Sequence, residues 1–229
     1  MKNQIIVMFR ANSEDRFIGP HQKSKTVYTG AEVKDAKGAM VMIHGRGATA
    51  ESIITLADEL DADDLHLVAP QANQFQWYPL SFLAPTERNE PGLSSGLQAI
   101  HDIITELAEK GIPKEKVILL GFSQGACLAT EFVARHPAKY GGLAALSGGV
   151  IGDEVSPKNY SGSLEGTPAF FGCSDIDAHI PKERVDESEE ILTHLGAKVT
   201  KKIYKGMGHT VNEDEIEEVK NIIKIVTSS

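Results

Sequence analysis

The amino-acid sequence predicts an α/β fold with a mostly parallel central sheet and helices on both of its faces. Three observations support this fold class. Strand-like and helix-like segments alternate from residue 39 to the end of the chain, a pattern typical of parallel sheets. The segment 39–43 is a continuous apolar run, as expected of a strand that is covered on both faces. The length of 229 residues suits one such domain with a sizeable core.

Each predicted element follows from the spacing of apolar residues and from the turn-forming residues around it. Residues 1–38 are expected to extend the sheet by a hairpin of two short strands, 4–9 and 25–29. The other predicted strands are residues 39–43, 65–70, 116–120, 142–147, 168–172 and 198–204. The predicted helices are residues 50–60, 93–110, 126–133, 182–195 and 212–226. The loop 71–92 is about twenty residues long, and loops of that length without structure are often functional.

Charge and composition exclude several classes of function. The 23 lysine and arginine residues against 32 aspartate and glutamate residues give a net charge of −9, which argues against binding to nucleic acids or to anionic membrane surfaces. The two cysteines, Cys127 and Cys173, predict neither a disulfide scaffold nor a metal site. No segment approaches the roughly 20 apolar residues of a membrane span, and the N-terminus lacks a signal-peptide pattern. We therefore expect a cytoplasmic protein without integral membrane association.

The segment 121–125, Gly-Phe-Ser-Gln-Gly, is the most informative part of the chain. It lies between the predicted strand 116–120 and the predicted helix 126–133, so Ser123 occupies the apex of a tight turn. This is the Gly-x-Ser-x-Gly pattern of the nucleophile elbow in serine hydrolases. The strand and the helix approach closely at such a turn, and the two glycines leave room for that approach. We therefore expect Ser123 to be an accessible nucleophile.

A nucleophilic serine needs a base, and the base needs an acid that orients it. His209 fits the base, because it lies just after a predicted strand, just before a predicted helix, and next to glycines. His179 is the main alternative, but it comes early in the chain and close to the candidate acids. These acids, Asp175 and Asp177, both follow the strand 168–172, and spacing alone leaves the choice between them open.

Four motifs in this order resemble those of the phospholipase/carboxylesterase family, small α/β-hydrolases related to acyl-protein thioesterases. They are His-Gly-Arg-Gly at 44–47, Gly-Phe-Ser-Gln-Gly at 121–125, Asp-x-x-Ile-Pro at 177–181 and Gly-Met-Gly-His at 206–209. The resemblance extends from about residue 39 to the C-terminus. It implies the α/β-hydrolase fold, and together with the chain length it predicts a single domain over residues 1–229, with residues 1–38 as an N-terminal extension of the sheet. It also implies that Asp177 is the acid, and that no metal or organic cofactor is required.

The resemblance further implies an oxyanion hole formed by the backbone N–H groups of Arg46 and Gln124. It places Trp77 near the acyl site as a substrate contact, with anchoring of the loop to the core as the alternative role. The sequence differs from the thioesterase pattern where Arg46 replaces a usual leucine, Ala48 a usual aspartate and Ala178 a usual proline. These differences argue against protein depalmitoylation. The Arg46 side chain is expected either to bind a substrate anion or to be solvated.

The expected function is hydrolysis of small acyl esters or thioesters by Ser123, Asp177 and His209 through an acyl-enzyme intermediate. The expected partner is a small-molecule substrate, and the expected assembly is a monomer or a homodimer. A detoxifying hydrolase of small aromatic or lactone substrates is one alternative, indicated by the aromatic residues of the loop 71–92. A non-catalytic ligand-binding protein with the same fold is another.

Overall fold

A seven-stranded sheet forms the centre of the computed structural model, which describes residues 16–228. In chain order the strands are β1 (Thr26–Gly30), β2 (Gly38–Ile43), β3 (Leu65–Pro70), β4 (Val117–Phe122), β5 (Gly142–Leu146), β6 (Pro168–Ser174) and β7 (Lys198–Tyr204). Their spatial order is β1-β3-β2-β4-β5-β6-β7. β1 is antiparallel to β3, and all other neighbouring strands are parallel. The predicted fold class, a mostly parallel α/β sheet of the α/β-hydrolase type, is confirmed.

Helices cover both faces of the sheet and bury two apolar layers. The helices are α1 (Ala50–Ile54), α2 (Gly92–Glu109), α3 (Gln124–Arg135), α4 (Lys182–His194) and α5 (Glu213–Thr227). Alternate residues of a strand point to opposite faces. In β4, Val117 and Leu119 pack in the layer that contains residues of α2, α3 and α4. Ile118 and Leu120 pack in the other layer, with residues of α1 and α5. The continuous apolar runs in the sequence therefore reflect burial on both faces.

The observed elements begin and end within two residues of the predicted ones, with two exceptions. The predicted helix 50–60 is α-helical only to Ile54 and continues as a 3-10 helix over Thr55–Glu59. Its apolar residues recur at intervals of three, which suits the three residues per turn of a 3-10 helix. The predicted strand 25–29 is β1, at the edge of the sheet, whereas its predicted partner 4–9 lies outside the described residues.

The loop between β3 and α2 is more ordered than its length predicts. It contains short 3-10 turns at Asn73–Phe75 and Thr86–Asn89. Its aromatic residues Trp77, Tyr78 and Phe82 are buried. The loop is therefore packed against the core, and it stands at the same edge of the sheet as the four motifs, which follow β2, β4, β6 and β7.

Candidate active site

Ser123 lies at the turn between β4 and α3 in a strained backbone conformation, with φ 55° and ψ −120°. Its N–H donates to the Leu146 carbonyl at 2.9 Å. The glycines on either side are needed because there is no room for a side chain: a Cβ on Gly125 would lie 2.0 Å from the Ile43 carbonyl oxygen. A Cβ on Gly121 would lie 2.4 Å from the backbone of Gly125. The geometry is that of a nucleophile elbow.

His209 is hydrogen-bonded to both Ser123 and Asp177. Its Nε2 lies 2.9 Å from Ser123 Oγ, and its Nδ1 lies 2.7 Å from Asp177 Oδ2. A carboxylate can only accept, so Nδ1 carries the proton and Nε2 accepts the bond from the Ser123 hydroxyl. The His209 ring packs against Phe122 with the centroids 4.9 Å apart and meets His179 edge-on at 4.8 Å.

The structure separates the two candidate acids. Asp177 Oδ2 contacts the imidazole, while Asp177 Oδ1 accepts the backbone N–H groups of His179 at 2.8 Å and Ile180 at 3.1 Å. Burial opposes the charge of this carboxyl, but these hydrogen bonds outweigh burial and hold the pKa of Asp177 below its usual range. Asp175 instead accepts the N–H of Gly206 at 2.7 Å. It therefore braces the loop that carries His209.

A second brace on the same loop comes from Ser174, whose hydroxyl oxygen accepts the Gly208 N–H at 3.1 Å. Gly206 and Gly208 both have positive φ angles, 67° and 80°, which glycine adopts without steric cost. Sequence reasoning missed Ser174. The signal available in the sequence was its position at the end of β6, next to the predicted acids.

Gln124 and Arg46, the two residues predicted to supply oxyanion-hole N–H groups, flank Ser123 in the same pocket. Gln124 is the first residue of α3, so its N–H has no acceptor within the helix. The Gln124 side chain binds the loop after β3. Gln124 Oε1 accepts the Trp77 N–H at 2.9 Å, and Nε2 donates to the Tyr78 carbonyl at 2.9 Å.

The Arg46 guanidinium binds the segment 76–80 through four hydrogen bonds. Nη1 donates to Gln76 Oε1 at 2.6 Å and to the Pro79 carbonyl at 3.0 Å, and Nη2 donates to the carbonyls of Tyr78 at 2.9 Å and Leu80 at 2.7 Å. The structure therefore differs from both roles expected for this side chain. The guanidinium is neither directed at a substrate anion nor merely solvated, because both of its Nη groups donate to the protein, to three backbone carbonyls and the Gln76 side-chain amide.

Trp77 is fully buried and lies behind the pocket wall. Its Nε1 donates to the His44 carbonyl at 2.9 Å. His44 is also buried, and its Nε2 accepts the Ala72 N–H at 3.1 Å while Nδ1 donates to the Gly45 carbonyl at 2.7 Å. Burial lowers the pKa of His44, which favours this neutral tautomer. The contacts of Trp77 match the alternative role given above, in which it anchors the loop.

The pocket in front of Ser123 has a volume of about 540 Å³. It is lined by Gly45, Arg46, Ala48, Tyr78, Pro79, Leu80, Ser81, Phe82, Phe122, Ser123, Gln124, Cys127, His179, Ile180 and His209. Most of this lining is apolar. Burial raises the pKa of the Cys127 thiol to about 12, so this group stays protonated at neutral pH and is a poor nucleophile.

The sequence profile of the phospholipase/carboxylesterase family matches residues 24–227. The chain belongs to this family. Acyl-protein thioesterase 1 from Saccharomyces cerevisiae is 28% identical over 225 residues, which cover 87% of this chain and 97% of that protein. A phospholipase/carboxylesterase from Dyadobacter fermentans is 42% identical, with a TM-score of 0.86 over 90% of this chain and 98% of that one.

Solved structures of lower identity share the fold. The Bacillus cereus carboxylesterase is 17% identical and superposes with a TM-score of 0.73 over 90% of this chain and 95% of that one. Family membership makes the protein an enzyme, a serine hydrolase of the esterase and thioesterase group. Among the residues that the structure describes, none of the helices combines the length and apolar character needed to cross a membrane.

Proposed function

We propose that the protein hydrolyses small acyl esters or thioesters with Ser123 as nucleophile, His209 as base and Asp177 as the orienting acid. One observation carries the proposal. The hydroxyl, imidazole and carboxylate form a continuous hydrogen-bonded chain, with steps of 2.9 and 2.7 Å, at the wall of a largely apolar pocket. Such a chain is what a serine needs to become nucleophilic at neutral pH.

The reaction proceeds in two halves. Ser123 Oγ attacks the acyl carbonyl carbon, and His209 Nε2 takes the hydroxyl proton and passes it to the departing alcohol or thiol. Asp177 stays ionised, holds the Nδ1–H tautomer and stabilises the imidazolium. Water then attacks the acyl-enzyme, gives its proton to His209, and the carboxylic acid leaves as Ser123 recovers its proton. Ser123, His209 and Asp177 thus supply the nucleophile, the base and the orienting acid.

We assign the stabilisation of the negative charge on the carbonyl oxygen to the backbone N–H groups of Arg46 and Gln124. Both residues line the pocket beside Ser123, and the Gln124 N–H stands at the positive end of the α3 dipole. Each such donor is worth on the order of 3 kcal/mol of barrier.

The pocket lining favours a small apolar acyl or aromatic group over a charged one. Tyr78, Phe82, Phe122 and Ile180 supply apolar surface, and the Arg46 charge is already engaged by backbone carbonyls. The aromatic side chains also support the second candidate, a detoxifying hydrolase of small aromatic or lactone substrates. Turnover rates across an acyl-chain series, measured beside aryl esters and lactones, separate the two.

The test is Ser123→Ala, assayed with p-nitrophenyl butyrate. We expect kcat/KM to fall by roughly 10⁴-fold or more, with the melting temperature close to that of the wild type. A fluorophosphonate probe is expected to label the wild type and not the variant. Ser163→Ala, at an exposed loop serine, is the matched control and should keep both activity and labelling. Turnover or labelling that survives in Ser123→Ala contradicts the proposal.

A further inference from the structure

The N-terminal segment, residues 16–23, packs behind the substrate pocket. It precedes the part of the chain that matches the family, which begins at residue 24. From this segment His21 contacts the pocket-wall loop, residues 73–82. We propose that His21 is a positioning residue that holds this loop from behind, so that the N-terminal segment sets how tightly a substrate group fits against the pocket wall. The inference rests on the proposed esterase function.

Ser95 of α2 fixes the backbone of the N-terminal segment. Its hydroxyl oxygen accepts the His21 N–H at 2.9 Å, and the hydroxyl donates to Gln22 Oε1 at 2.7 Å. Gln22 Nε2 donates in turn to the Ser95 carbonyl at 2.8 Å. Gly19 packs so closely that a Cβ there would lie 2.7 Å from the Ser95 Cβ. The His21 ring therefore projects from a backbone that is held on a long helix.

The His21 imidazole bridges two backbone groups of the pocket-wall loop. Nε2 lies 2.9 Å from the Trp77 carbonyl oxygen, and Nδ1 lies 3.0 Å from the Asn73 nitrogen. A carbonyl only accepts and an N–H only donates, so the ring is neutral with its proton on Nε2. Burial lowers the pKa of His21, in agreement with this state. His21 is 5% exposed; its bond to the Trp77 carbonyl is buried, and its bond to the Asn73 N–H is partly buried.

The opposite side of the same loop is held by the catalytic elements. The Trp77 N–H donates to the Gln124 side chain, and the Gly47 N–H donates to the Phe75 carbonyl at 2.7 Å. The Arg46 guanidinium holds the carbonyls further along the loop. The loop thus lies between His21 on one side and the residues around Ser123 on the other, and its residues from Tyr78 to Phe82 face the pocket.

Removing the His21 ring leaves the buried Trp77 carbonyl and the partly buried Asn73 N–H without this partner. Such groups are costly, so the loop is expected to shift until they find water. The wall residues move with the loop, whereas Ser123 stands at the turn between β4 and α3, and His209 stands on the loop after β7 that Asp175 and Ser174 brace. The predicted kinetic effect is therefore on substrate fit: a rise in KM of about tenfold, with kcat close to that of the wild type.

The experiment compares His21→Ala, His21→Asn and His21→Gln with the wild type on p-nitrophenyl esters of increasing acyl length. Asparagine can keep the acceptor for the Asn73 N–H, and glutamine can keep the donor to the Trp77 carbonyl. We expect the largest rise in KM and the largest change in chain-length preference for alanine, with intermediate values for the other two. His194→Ala, an exposed histidine at the end of α4, is the matched control.

Trp77 provides a readout that does not depend on activity, because it is the single tryptophan of the chain. In the wild type its emission should be blue-shifted and resistant to acrylamide quenching, since the side chain is fully buried. In His21→Ala we expect a red shift and stronger quenching. If alanine prevents folding, the asparagine and glutamine variants carry the comparison.

The results separate this inference from the proposed function. An inactive wild type that fluorophosphonate does not label contradicts the esterase proposal, while the fluorescence still tests whether His21 holds the loop. An active wild type whose KM, chain-length preference and Trp77 emission are unchanged in all three His21 variants overturns the inference. A loss of kcat without a rise in KM also overturns it, because it would mean that His21 acts on the chemistry and not on the wall.

Discussion

Ser123, Asp177 and His209 meet although they are distant in the sequence. Ser123 and His209 are separated by 86 positions, and His209 and Asp177 by 32. Each side chain is held by its immediate neighbours: the serine by a strained turn, the histidine by two braced glycines, and the aspartate by two backbone N–H groups. Because protein groups support each of the three residues, the fold itself sets their orientation, as preorganised catalysis requires.

The contrast between Asp177 and Asp175 gives the first residue-scale prediction. In Asp177→Asn the amide can donate to His209 and so favours the wrong imidazole tautomer, and we expect kcat to fall by about 10⁴-fold. In Asp175→Asn an amide oxygen can still accept the Gly206 N–H, and we expect a loss of less than about tenfold. The measurement is kcat on one p-nitrophenyl ester for both variants side by side. Equal losses in the two variants would contradict the assignment of the acid.

Arg46 illustrates how one residue serves two purposes at the site. In the proposed mechanism its N–H faces the oxyanion, while its guanidinium holds the segment 76–80 through four hydrogen bonds. The planar guanidinium offers several donors in a fixed geometry, which suits a set of carbonyls on one loop better than a lysine would. The residue at this position therefore affects the pocket wall as well as the backbone beside Ser123.

Arg46→Met tests this use of the side chain. We expect KM to rise by roughly five- to tenfold, because the wall segment loses its charged donors, while kcat changes less, since the Arg46 N–H is retained. Steady-state kinetics on two acyl lengths give the measurement. Arg88→Met, at an exposed position in the same long loop, controls for the loss of an exposed arginine. A KM that stays at the wild-type value would show that the four bonds do not shape the pocket.

At the scale of elements, the N-cap of α5, Asn212, lies three residues after His209. Asn212 caps the helix: its side chain accepts the Glu215 N–H at 2.9 Å, and Glu215 Oε2 accepts the Asn212 N–H at 2.9 Å. Glu215 is fully buried against Gly172 of β6, and among the described residues its Oε1 has no hydrogen-bond partner. Burial raises the pKa of Glu215 to about 7, partly offset by the Asn212 N–H.

We expect this carboxyl to make the stability of the fold depend on pH. The folded-state pKa of about 7 lies above the ordinary value of 4.5, so between these pH values the folded state binds more protons than the unfolded state. The free energy of unfolding therefore falls as pH rises through that window. In Glu215→Gln this contribution is absent. Between pH 4.5 and pH 8 we therefore expect the free energy of unfolding to fall by about 1 to 2 kcal/mol less in the variant than in the wild type.

Urea unfolding of the wild type and of Glu215→Gln at pH 4.5 and pH 8 provides the measurement. Glu213→Gln, an exposed residue in the first turn of the same helix, is the control and should leave the pH dependence of the wild type nearly unchanged. If Glu215→Gln shows the same change in stability between the two pH values as the wild type, the ionisation of Glu215 is not the cause.

At the scale of the whole molecule, the parallel sheet explains where the site forms. The carboxyl ends of parallel strands lie at one edge, so the segments after β2, β4, β6 and β7 meet there whatever their order in the chain. The loop after β3 forms one wall of the pocket, and the N-terminal segment packs behind that loop. In the proposed mechanism, the sheet therefore holds the reacting groups, and the packed loop forms the wall that the substrate contacts.

Much of this arrangement could be predicted from local sequence. The turn at Ser123 needs small residues on both sides, and the order of strands and helices follows from the spacing of apolar residues. Both features depend on residues that lie close together in the sequence. The shortened helix α1 and the ordered loop after β3 were harder to predict. A spacing of three serves a 3-10 helix as well as an α-helix, and the order of the loop comes from distant partners, His21, His44 and Gln124.

The sequence by itself determined the fold class, the serine at the elbow and the histidine after the last strand, because these depend on residues that are neighbours in the chain. Three features follow only from the tertiary structure: the aspartate that contacts His209, the partners of the Arg46 guanidinium, and the contact of His21 with the pocket wall. Residue spacing alone left the choice of aspartate open. The physical reason is the range of the interaction: a turn or a helix is specified within a few residues, whereas a side-chain hydrogen bond across the fold depends on where the backbone places two separate segments.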